Sequence, residues 1–157
     1  MKSVKIKSVA QAAKGSLFTI YIEGESCSEI EKFIRNNSES YSKDLNIILT
    51  AIKKMLETSG FLERYFRPEG KYSDNVCALP IQSGKLRLYC LRVNDSILIA
   101  GNGGVKNTKT YQDCDDLNGY VIDLQKLDKA LKIAIKNGNV IIEEKTINGI
   151  EDKSFKL

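Results

Sequence analysis

The chain has 157 residues, 42% of them hydrophobic and 28% charged, with 24 Lys and Arg against 20 Asp and Glu for a formal net charge of +4. That is enough chain for one domain, here residues 1–157, with a real core, and no apolar run is long enough to span a membrane. There is no histidine, and the four cysteines, Cys27, Cys77, Cys90 and Cys114, form no C-x-x-C pair, so histidine triads are excluded and no metal or cofactor is expected.

The opening stretch "MKSVKIKSVAQAAKGS" lacks the apolar run and cleavage pattern of a signal peptide, so a cytoplasmic location is expected. "LFTIYIEG" is β-branched and aromatic and closes on glycine, the pattern of a strand. In "CSEIEKFIRNN", Ser28 is followed three residues later by Glu31, a capping box that opens a short helix. "SKDLNIILTAIKKMLETSG" places Leu45, Ile48, Leu49, Ile52, Met55 and Leu56 on one stripe, and Gly60 stops the helix. Only a few residues separate the two helices, which predicts a helical hairpin.

"NVCALPI" is a short strand with Pro80 at its end. "KLRLYCLRV" alternates, with Leu86, Leu88 and Cys90 on one face and Arg87 and Tyr89 on the other. Asn94-Asp95 suits a tight turn into "SILIAGN". Asp123 is placed to cap "DLQKLDKALKIAIKNG", which Gly138 ends. "NVIIEE" reads as a last strand, followed by a loose charged tail. Strands joined by tight turns imply an antiparallel sheet, and the helices on either side of it in sequence make the class α+β.

The excess positive charge lies between Lys53 and Lys109, where ten Lys or Arg face five Asp or Glu. Clustered basic charge favours a polyanion partner. "GNGGVKNTKT" (101–110) looks at first like a phosphate loop. Gly101, Gly103 and Gly104 miss the G-x-G-x-x-G spacing, however, and Lys106 is not followed by Ser or Thr. The glycines fit better as a bend or bulge that aims Lys106 and Lys109 at one face.

"GKLRLYCLRVNDSILIAGNGGVKNTKT", with two helices before it, resembles the RelE/HigB superfamily of bacterial toxins, as a long branch with N- and C-terminal extensions. The resemblance implies a RelE-like fold: an antiparallel sheet with an N-terminal helical hairpin and a C-terminal helix. It also implies the toxin half of a toxin–antitoxin pair, a metal-free, ribosome-dependent messenger RNA endonuclease. Its partners would be an antitoxin, possibly of helix-turn-helix type, and the ribosome with its messenger RNA. Carried over by position, Arg87 would clamp the phosphate, Lys106 would be the cation ending the last strand, and Tyr111 would be the late tyrosine. Lys85, Arg92 and Lys109 would hold RNA, and Glu63 and Arg64, which precede the second strand, are further candidates that nothing in the spacing demands.

Each assignment has a plainer rival. Arg87 and Tyr89 suit the solvated face of a half-exposed sheet. Lys106 and Lys109 suit exposed loop lysines, and Tyr111 a packed ring with a wet hydroxyl. The alternative function is a non-catalytic RelE-like binding module that acts through a protein partner, since fold alone does not fix the target.

Overall fold

A computed structural model describes residues 2–69, 74–79, 84–106 and 114–157. The chain opens on a strand hairpin, β1 (Ser3–Gln11) and β2 (Ser16–Ile22). Two helices follow, α1 (Glu29–Asn37) and α2 (Ser42–Lys54), the second ending in a π-turn over Met55–Ser59. A single 3₁₀ turn at Glu63–Tyr65 leads to β3 (Arg67–Pro68), β4 (Val76–Leu79), β5 (Leu86–Asn94) and β6 (Ile97–Val105). The long helix α3 (Asp115–Lys136) comes next. A small hairpin, β7 (Ile141–Glu143) with β8 (Thr146–Asn148), and a terminal strand, β9 (Phe155–Lys156), complete the chain.

Among the described residues, the main sheet has seven strands in the order β3-β4-β5-β6-β2-β1-β9. β2 and β6 run parallel and the other neighbours antiparallel. The sheet is therefore mixed. α1 and α2 carry the chain from the end of β2 to the far edge, and the β3–β6 meander brings it back beside β2. Where the parallel ladder stops, the Thr19 hydroxyl donates to the Ala100 carbonyl (2.8 Å) and accepts from the Ile30 amide (3.2 Å), tying the split to the first turn of α1.

Both faces of the sheet are covered. Leu17, Cys77, Leu79, Leu86, Leu88, Cys90 and Leu98 pack with α1 and α2. Val4, Ile6, Phe18, Ile20, Ala78, Tyr89, Leu91 and Ile99 pack with α3. A strand buried on both faces needs a continuous apolar run, and Ile97–Ala100 supplies one.

The expected α+β class holds, but its expected architecture is corrected. The fold is not an antiparallel, RelE-like sheet with an N-terminal helical hairpin and a C-terminal helix. A strand hairpin comes first, the two central strands are parallel, and the helices lie on opposite faces of a larger sheet. The N-terminal lead is itself a strand, with Val4 and Ile6 inward and Lys5 and Lys7 alternating with them. α3 begins eight residues before Asp123, because Leu117 and Val121 already belong to its buried stripe. The tail is not loose, since β9 pairs with β1 through Ser3↔Lys156 and Val4↔Phe155.

Other local expectations match. Ser28 and Glu31 form the capping box, and Gly60 and Gly138 stop their helices at φ values of 81° and 78°. β5 and β6 pair as expected, though the two-residue turn is Asp95-Ser96, one residue later than the expected Asn94-Asp95, and Leu86, Leu88 and Cys90 face α1 and α2.

Candidate functional site

The sheet gathers four charged side chains at the end nearest the start of α3. Arg67 on β3 pairs with Ala78, and the Glu69 amide continues that ladder to the Val76 carbonyl (3.0 Å). Ala78 and Val76 both face α3, so alternation puts Arg67 and Glu69 on that face too. Arg87 lies two residues before the inward Tyr89 and opposite Gly104. Lys106 lies two residues beyond Gly104, with its amide bonded to the Lys85 carbonyl (2.7 Å). The cluster is closed in by Leu117 of α3, whose Cδ2 would sit 3.4 Å from a Cβ on Gly104.

Glu69 is the hub. Its side chain is 8% exposed, and its Oε1 lies 3.6 Å from Arg67 Nε. Burial raises the Glu69 pKa above the ordinary carboxylate value, and the charges of Lys106, Arg67 and Arg87 offset this in part. Burial lowers the Lys106 pKa, as do Arg67 and Arg87, while Glu69 opposes the shift. A carboxyl pushed up and an ammonium pushed down are shifted towards each other, as in an acid–base pair. Arg87 Nη1 donates to the carbonyls of Gly84 (2.6 Å) and Leu86 (3.0 Å), which fixes the guanidinium. Among the described residues, Arg87 Nε and Glu69 Oε1 are buried without a hydrogen bond.

Arg87 and Lys106 are thus brought together, but Arg87 is buried rather than on a solvated face, at 9% exposure, because α3 covers that side. Lys85 is exposed beside them. Arg92 is on the opposite face, where it pairs with Asp95 (3.0 Å) and Glu63 (3.8 Å) and donates to the Phe61 carbonyl (3.2 Å). It fastens the β5–β6 turn to the chain after α2 and does not join the cluster. Lys109 and Tyr111 lie outside the described residues. Arg67 and Glu69 were missed in sequence. The signal was "RPE", an Arg-x-Glu alternation around a proline, which is tolerated at an edge strand.

The glycines of 101–104 serve backbone packing. β6 carries an extra residue where Leu88↔Gly103 gives way to Cys90↔Ala100. A Cβ on Gly103 would fall 1.9 Å from the Arg87 carbonyl oxygen. The loop brings β6 tight against β5 and so sets where Lys106 stands against Arg87.

A groove of about 400 Å³ lies between α3 and Asp74. Lys132 pairs there with Asp128 (2.9 Å) and Gln125 donates to Asp74 (3.1 Å), and Lys126 and Lys129 line it as exposed cations. Among the described residues, no three His, Cys, Asp or Glu side chains group as a metal site, and no helix is long and apolar enough to cross a membrane.

No protein family, curated protein or solved structure matches the chain.

Proposed function

We propose that the Arg67–Glu69–Arg87–Lys106 cluster binds and cleaves an RNA phosphodiester, and that the chain is a bacterial toxin acting in the cytoplasm on ribosome-bound messenger RNA, held in check by an antitoxin. The observation that carries this is the convergence of three cations, from β3, β5 and the end of β6, on one largely buried carboxylate. The "KLRLYCLRV…GGVKNTKT" resemblance supports the choice of RNA.

In this mechanism the Glu69 carboxylate takes the proton of a ribose 2′-hydroxyl. The 2′-oxygen forms a bond to phosphorus, the bond from phosphorus to the 5′-oxygen breaks, and the Lys106 ammonium gives that oxygen its proton. The products are a 2′,3′-cyclic phosphate and a 5′-hydroxyl. Arg67 and the fixed Arg87 bear on the charge that builds on the phosphate oxygens. Such preorganised donors are worth about a hundredfold to a thousandfold each.

A second reading has its own observation. Arg87 spends Nη1 on the Gly84 and Leu86 carbonyls, as an arginine bracing the start of β5 would in a non-catalytic binding module. Expression without an antitoxin separates the two. The first reading expects growth arrest and cut messenger RNA on purified ribosomes, both relieved by Glu69→Gln and Lys106→Met in folded protein. A harmless wild-type chain that leaves ribosome-bound RNA intact would overturn it in favour of the module.

A further inference from the structure

Around the edge of β3 from the cluster, a second group of charged and aromatic side chains surrounds a cavity. It holds about 130 Å³ and is lined by Ala51, Lys54, Met55, Ser59 and Tyr65. Lys54 ends α2, Ser59 ends the π-turn, and Tyr65 ends the 3₁₀ turn. π-turns of this kind are frequent at functional sites. The Arg64 guanidinium lies over the Tyr65 ring, 5.1 Å from its centroid, with Nη2 3.4 Å from the phenol oxygen.

The charges here are unmatched. Lys54 and Arg64 are exposed, and neither makes an ion pair among the described residues. Glu63, the acid beside Arg64, is turned to Arg92. Hydrogen bonds from Ser59 and Arg64 lower the Tyr65 phenol pKa, burial opposes them, and the charges of Arg64 and Lys54 add smaller lowering effects. Tyr65 packs one side against the α1–α2 core, so the open stacking surface is the outer plane of Arg64.

We propose that Lys54, Ser59, Arg64 and Tyr65 form a subsite for a nucleotide flanking the cleaved one, and that the ligand is single-stranded RNA. The inference rests on the RNA-cleaving reading of the cluster. The cavity has room for a phosphate, which Lys54 and the Tyr65 hydroxyl would meet, the Ser59 hydroxyl being given to the Gly60 carbonyl (2.9 Å). The base would stay outside, stacked on the Arg64 guanidinium with the Tyr65 ring behind it, a sequence-tolerant mode that needs an unpaired base. Position joins the two sites. Tyr65 is two residues from Arg67, about 7 Å of chain at full extension, and Arg67 opens the two-residue β3. Pro68 on β3 has no amide hydrogen to recruit another strand. A strand of RNA can round this edge from Lys54 to Arg87.

The test is the binding of a labelled single-stranded RNA of about ten nucleotides to the full chain, followed by fluorescence anisotropy over a salt series. Arg64→Ala and Tyr65→Ala should weaken binding roughly 5- to 150-fold, the usual loss for one stacked base. Lys54→Ala should flatten the salt dependence by about 0.7 in the log–log slope. A duplex of the same sequence should gain nothing from Arg64 or Tyr65. Arg64 is exposed, so its variant reports on binding even if Tyr65→Ala unsettles the core. The inference is overturned if wild type does not bind the strand, if both variants bind as wild type does, or if duplex suffers the same loss. If the variants weaken binding but wild type never cuts RNA, the subsite stands and the cleavage reading falls. If wild type cuts and the variants bind normally, the reverse holds.

Discussion

Gly103, paired with Leu88 at the β5–β6 bulge, lies so close to the Arg87 carbonyl that a Cβ at 103 would fall 1.9 Å from its oxygen. The obstacle is backbone and cannot swing aside. Gly103→Ala should therefore push the strands apart and cost more than the usual 1–3 kcal/mol of overpacking. Gly119 in α3 is the control, because a Cβ there meets nothing within 4 Å. Gly119→Ala should stabilise by about 0.5–1 kcal/mol, the helix-propensity difference. Urea unfolding of the two variants checks the pair, and equal midpoints would show that the close approach is not real.

Glu69 and Lys106 give the fold a pH signature. Burial holds the Glu69 pKa above its ordinary 4.5. Between 4.5 and that raised value the folded chain binds more protons than the unfolded one, so stability falls as pH rises through this window. Lys106 is shifted down from 10.5. There the unfolded chain binds more protons, and stability rises as pH climbs from the lowered value towards 10.5. Glu69→Gln should flatten the acid-side fall and Lys106→Met the alkaline-side rise. Unfolding midpoints across pH 4 to 11 would read both. A Glu69→Gln profile parallel to wild type between pH 4 and 7 would remove Glu69 from the cluster's electrostatics.

Local signals were readable where one short stretch sufficed. Ser28 and Glu31 are three apart, Gly60 and Gly138 follow apolar stripes, and Leu86, Leu88 and Cys90 alternate cleanly. What failed needed knowledge of distant neighbours. The pairing of β2 with β6 joins Leu17 to Leu98, and nothing in either stretch says which way the other will run. Arg87 and Tyr89 looked like a wet face because α3, which buries them, lies well downstream. Val4 and Ile6 did alternate with Lys5 and Lys7, but an N-terminal lead rich in lysine masked the strand. Glu69 became visible as a site residue only when the sheet set it among Arg67, Arg87 and Lys106, which come from three separate strands or strand ends.

The cysteines divide by depth. Cys77 and Cys90 face each other across β4 and β5 and are buried. Burial pushes the Cys77 thiol up to about 12 and drives Cys90 well above its usual value, with Cys77 adding to the latter shift. Thiolate is the reactive form, so neither should react in the native protein at pH 8. Cys114, half-buried just before α3, should be modified first. Iodoacetamide labelling followed by peptide mapping checks the order, and early modification of Cys90 would contradict its place in the core.

The tail carries the last prediction. Phe155 is 3% exposed and belongs to the core under α3. β9 holds it there, pairing with Ser3 and Val4, and the Leu157 amide donates to the Lys2 carbonyl (2.8 Å). Lys2 in turn binds Asp123 of α3 at 2.6 Å, so the two chain ends are fastened together on one helix. Phe155→Ala should cost about 3–5 kcal/mol, as for other buried phenylalanines, lowering Tm by roughly 6–20 °C for a chain of this size. Deleting residues 154–157 should cost at least as much, because it also strips the outer edge of β1. Lys153→Ala, which removes only a surface cation 5.4 Å from the Phe155 ring centroid, should shift stability by no more than about 0.5 kcal/mol. Thermal unfolding of the three variants separates a docked strand from a loose tail: a truncated chain that melts within a degree of the full one would mean that β9 contributes nothing to the sheet.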